Sequence, residues 1–167
     1  MIRIFGGNRM WNKVKNYVYS VLATLAVGGL SALLTAGNRD VYQSLEKPFL
    51  SPPAWVFPAV WTILYILMAI SFATVFNKRK REPMMRRNAL NIYSLNLFFN
   101  FFWSIIFFDF GAYLVAFIWL LILWFVIFVM IVNYYRTDKV SGLLLVPYLV
   151  WVTFAGYLNF GVWSLNG

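Results

Sequence analysis

Five runs of residues with no charge in their middles leave this chain few ways to fold. They cover about 17–36, 55–77, 90–108, 111–135 and 141–163. At 1.5 Å of rise per residue each run spans about 30 Å, the thickness of a hydrocarbon core. The reading is an all-α integral membrane protein, a five-transmembrane-helix bundle in a single domain over 17–163. A basic head (1–16) precedes it and a short neutral tail (164–167) follows. The first run is too long for a signal-peptide core and no clear cleavage site follows it, so it reads as a retained span.

Composition agrees. The 167 residues are 62% hydrophobic and only 11% charged, whereas a soluble domain is about half apolar and about a quarter charged. The net charge of +9 does not argue for a nucleic-acid partner, because the cations sit in the gaps between apolar runs. Arg3, Arg9, Lys13 and Lys15 precede the first span; Lys78, Arg79, Lys80, Arg81, Arg86 and Arg87 face one Glu82 in the second loop. The positive-inside rule then places the N-terminus in the cytoplasm and the C-terminus opposite, with the first loop on the far side. A bacterial cell membrane is the expected location; a bacterial or mitochondrial outer membrane is the alternative. The second loop can be an orientation signal or can also attract anionic headgroups.

Cysteine and histidine are absent. That inventory excludes disulfides, zinc-thiolate sites, Cys nucleophiles, Ser-His triads and His-ligated haem. No intramembrane charge is available for a proton relay, a voltage sensor or an ion path.

Four patterns point to a site and its supports. Pro48, Pro52 and Pro53 stiffen the connector before the second span, and Pro58 suits a first helical turn. Trp55, Phe57, Trp61, Tyr65 (or Leu64) and Met68 follow as an aromatic helix entrance. In the third span Asn96, Asn100 and Trp103 share a face; the carboxamides need partners, from other helices or from a ligand. In the fifth span Pro147 is expected to kink the helix, and Tyr148, Trp151, Ala155, Leu158 and Asn159 form a second stripe. Thr24, Gly28, Ala32 and Ala36 recur every four residues in the first span, as packing inside the bundle or as a dimer seam.

Tyr42-x-x-Leu45-x-Lys47-Pro48-x-x-x-Pro52-Pro53-x-Trp55-x-Phe57-x-x-Val60-Trp61-x-x-Leu64-Tyr65 closely resembles the signature of the translocator protein family (TspO/MBR; tryptophan-rich sensory protein, peripheral-type benzodiazepine receptor). Asn100-x-x-Trp103-x-x-x-Phe107-Phe108 is similar to its third-helix motif. Pro147-Tyr148-Leu149-x-Trp151-x-x-Phe154-Ala155-x-x-Leu158-Asn159 is similar to its fifth-helix motif. The resemblance implies a five-helix bundle, often a homodimer, that binds protoporphyrin IX or haem. It also implies isoquinoline or benzodiazepine-type ligands, and a role in tetrapyrrole sensing, transport or stress regulation. The ligand positions it implies are Tyr42, Trp61, Asn100, Trp103, Trp151, Ala155 and Asn159; Pro48, Trp55, Phe57 and Tyr65 join them from the aromatic entrance. Light-dependent porphyrin degradation through Trp61 is an alternative, as is sterol or lipid transport. The family's steroid motif is broken here: its positions read Leu158, Phe160 and Ser164, without the tyrosine hydroxyl and without the cation. No obligatory cofactor and no metal site are expected. The flat ring would stack on indoles, and its carboxylates would lie near Arg39 or Lys47 at the loop end.

Overall fold

A computed structural model describes residues 4–38, 43–80 and 82–167, with side chains from Trp11 onward. The described residues form helices α1 (Ile4–Leu34), α2 (Val56–Lys78), α3 (Pro83–Ser104), α4 (Tyr113–Tyr135), the short α5 (Lys139–Leu143) and α6 (Val146–Asn166). Five stretches are long and apolar enough to cross a membrane: Trp11–Leu34, Val56–Lys78, Pro83–Asp109, Tyr113–Tyr135 and Lys139–Asn166. The five-span reading therefore holds, with shifted ends. The basic head is not a separate segment: α1 is already helical from Ile4, and it stops at Leu34. The third span begins at Pro83, where a proline at the helix start loses no bond.

Two boundaries carry physical information. α3 continues into a π-helical turn, Ile105–Asp109, with Phe110 N–H donating to the Ile105 carbonyl at 3.2 Å. The wider turn re-aims Phe107, which is buried, while Asp109 is exposed. Pro147 does not kink a continuous fifth helix. α5 ends at Leu143 and Pro147 lies in the first turn of α6. Having no N–H to offer the Leu143 carbonyl, it separates the two pieces instead.

α1 packs on α2 and α3, and α4 packs on α3 and α6. Large apolar side chains cover the outside, among them Leu33, Ile63, Phe125 and Val150. Lipid tails are as apolar as these residues, so close packing and interhelical hydrogen bonds must hold the helices together. Both are present. The α1 face in contact runs through Ser20, Thr24, Gly28, Ser31 and Thr35; Thr24 is hydrogen-bonded to the Tyr93 phenol, and Gly28 lies against the Tyr65 ring. Packing thus accounts for Thr24 and Gly28, whereas Ala32 and Ala36 lie exposed beyond this line. Tyr17 meets Thr74 at 2.9 Å, and Ser71 donates to the Ser141 carbonyl at 2.7 Å.

Candidate ligand site at the aromatic junction of three helices

Phe57, Trp61, Leu64 and Met68 follow one another at three- and four-residue steps along α2, so they share a face. That face meets α3 and α6. The Trp61 ring lies 5.5 Å from Tyr65, 6.4 Å from Trp103 on α3 and 6.1 Å from Tyr148 on α6, centroid to centroid. One turn nearer the connector, Phe57 meets Trp151 edge-on at 6.0 Å. Trp103 stacks on Phe107 at 5.4 Å. The Trp61 and Trp103 rings are tilted by 35° to each other, so they meet at an angle and not as a parallel pair.

Below the rings lies a polar floor. The Asn100 amide nitrogen donates to Asn96 Oδ1 and to the Asn96 carbonyl, both at 3.0 Å, and to the Tyr148 oxygen. Tyr148 in turn donates to Asn96 Oδ1 at 3.1 Å. Asn159 accepts from Trp103 Nε1 at 3.2 Å and donates to the Tyr113 carbonyl at 2.8 Å. These carboxamides serve as interhelical ties. Two buried donors in this region have no partner, Trp151 Nε1 and Asn96 Nδ2. An N–H held in apolar surroundings without an acceptor costs free energy.

The connector is ordered by its own turns. Ser51 returns both its N–H (3.1 Å) and its hydroxyl (2.9 Å) to the Pro48 carbonyl, and Val56 N–H returns to Pro53 at 3.0 Å. Glu46 and Asn166 exchange two hydrogen bonds of 2.9 Å. Pro48 sits against Gly161, where an added Cβ would stand 2.6 Å from the proline ring. Pro48 therefore meets α6 at Gly161, ten residues beyond Trp151, and Ala155 is buried one turn after Trp151 on the same α6 stripe. Trp55 does not join them: it is 71% exposed at the start of α2. Tyr42, Arg39 and Asp40 lie outside the described residues. Tyr148 and Asn96, which the sequence placed on the stripes of the fifth and third spans but not among the ligand positions, are the residues that join Asn100 across those two helices.

A separate groove of about 500 Å³ lies on the outer faces of α4 and α6, lined by residues including Phe117, Trp124, Tyr157 and Phe160. It is apolar and open to the surroundings, without the convergent polar groups of the junction.

The family profile described as TspO/MBR family matches residues 20–164. The chain belongs to the TspO/MBR family. Protein CrtK of Rhodobacter capsulatus is 39% identical over 149 residues, covering 89% of this chain and 91% of that protein. Tryptophan-rich protein TspO of Chlorobaculum tepidum is 38% identical, with 85% and 90% covered. Human translocator protein is 31% identical, with 75% and 74% covered. With its five apolar spans, this TspO/MBR protein is an integral membrane protein with bacterial homologues.

Proposed function

We propose that the chain binds a tetrapyrrole, protoporphyrin IX or haem, at the junction of α2, α3 and α6. The observation that carries this reading is Trp61, whose ring meets aromatic rings from both other helices, one turn along α2 from Phe57, the neighbour of the unpartnered Trp151 donor. A tetrapyrrole is flat and conjugated, and aromatic contacts contribute roughly 0.5–1.5 kcal/mol per pair beyond burial. Its ring would part Trp61 from Trp103, and its carboxylates would lie toward the connector and Lys47. With no His or Cys in the chain, an iron ligand would have to be Tyr, Met or water, and metal-free porphyrin is expected to bind about as well as haem. The same site suits other flat apolar molecules, including isoquinoline or benzodiazepine-type ligands. Sensing, transport and stress regulation all require this binding step.

Photochemical porphyrin degradation is a second reading, favoured by the contact between the Trp61 and Trp103 indoles. It predicts that Trp61→Phe keeps binding and loses light-dependent product. For orientation, the end of the bundle carrying Lys78, Arg79, Lys80, Arg86 and Arg87 would face the cytoplasm.

The test is fluorescence-quenching titration of purified protein with protoporphyrin IX. Trp61→Ala, Trp103→Ala and Trp151→Ala should each weaken binding. Unchanged affinity in all three removes the site.

A further inference from the structure

The basic end of the bundle has more cation than the protein neutralises. Asp138 is occupied by Lys78 in the one ion pair among the described residues. Arg79 is buried and bonds only neutral acceptors: Thr137 Oγ1 at 2.7 Å, Asn133 Oδ1 and carbonyl at 3.0 and 2.9 Å, and the Met85 carbonyl at 3.1 Å. It ties α2 to the α3 start and the α4 end, and neutralises nothing. Lys80, Arg86 and Arg87 have no carboxylate within ion-pair reach among the described residues.

Arg86 is the most telling of these. Its guanidinium lies 3.7 Å over the Phe76 ring, and its Nε is buried without an acceptor. Stacking on Phe76 holds this unneutralised cation at the start of α3. On the neighbouring face, Arg87 lines an open groove of about 460 Å³ with Asn88, Asn91, Met84 and Met85. Met84 is 79% exposed beside these polar groups. A free anion has no use for methionines, whereas a phospholipid presents a phosphate directly above acyl carbons.

We propose that the start of α3 binds the headgroup of an anionic phospholipid, with Arg87 on the phosphate, Arg86 adding positive charge on the adjoining face, and Met84 and Met85 against the first acyl carbons. This rests on the membrane location alone and is independent of the porphyrin reading.

Native mass spectrometry of the protein released from vesicles of equal phosphatidylglycerol and phosphatidylcholine tests it. The wild type should retain phosphatidylglycerol over phosphatidylcholine by about fivefold or more, the effect of about one well-placed cation at a membrane surface. Arg86→Gln with Arg87→Gln should bring retention near the bulk ratio, and Lys13→Gln with Lys15→Gln should leave it high. Arg87→Gln alone, at an exposed position, gives a partial loss even if the double variant fails to fold. No enrichment in the wild type, or equal enrichment in all variants, overturns the proposal. Displacement of the lipid by inorganic phosphate also overturns it, reducing the site to a small-anion site.

Discussion

Asn100 on α3 hydrogen-bonds the phenol of Tyr148 on α6, although 48 positions separate them in the chain. Both are buried, and Asn96 Oδ1 closes the triangle by accepting from each. In a bilayer such a tie contributes about 0.6–1.7 kcal/mol, less than its burial suggests, because separated helices find other partners there. A double-mutant cycle of Asn100→Leu and Tyr148→Phe should return a coupling in that range, measured by denaturant unfolding in micelles. A coupling near zero would mean that the triangle is held by the surrounding packing.

Trp151 offers a way to separate support from recognition. Its Nε1 has no acceptor in the protein, so Trp151→Phe deletes no internal hydrogen bond. Thermal stability should change little. Porphyrin affinity should fall by about two- to twelvefold, the loss of one neutral hydrogen bond of about 0.5–1.5 kcal/mol. Large destabilisation with unchanged affinity would reassign Trp151 to packing.

Gly161 leaves no room for a methyl group next to Pro48. Overpacking of this kind costs about 1–3 kcal/mol. Gly161→Ala should push the connector off α6 and speed porphyrin release while circular dichroism keeps its helical signal. Equal release rates would show that the connector does not cap the site.

Asp138 sets an acid limit on the α4–α5 turn. The Lys78 ammonium beside it, with the Ser141 N–H, holds its carboxyl at about 2, below the ordinary carboxylate value of about 3.9. A lowered folded-state pKa stabilises above the unfolded value and is lost as pH falls through the folded one. The contribution is therefore full above about pH 4 and gone near pH 2. Lys78 is half exposed, so solvent screening keeps the effect small. Asp138→Asn should melt slightly lower than wild type at pH 7, and the two should converge near pH 2. A gap that persists in acid would assign the effect to the capping of α5.

The spans were legible because uninterrupted hydropathy needs no knowledge of partners. Trp61 and Trp103 were legible for a related reason: each repeats a helical step from neighbours of the same kind. Trp55 shows where that logic slips. Six residues before Trp61 is about 120° away around a helix, off the shared face, whereas Phe57 at four residues is about 40° away and shares it. The α1 seam was misread similarly. Steps of four drift about 40° per turn, so the seam returns by a step of three from Gly28 to Ser31 and then reaches Thr35. Tyr148 was visible on its stripe, but a phenol in an apolar run looks like packing until its partner on another helix is known. The π-helical turn after Ser104 left no mark that a local reading could detect.

The two hydrogen bonds between Glu46 and Asn166 bind the fate of the proline connector to that of the last turn of α6. Neither can fray without the other losing its partner. Amide exchange near residue 166 should therefore report how often the connector lifts from the end of α6, so that one slow proton near the C-terminus records the motion of a loop 120 positions away.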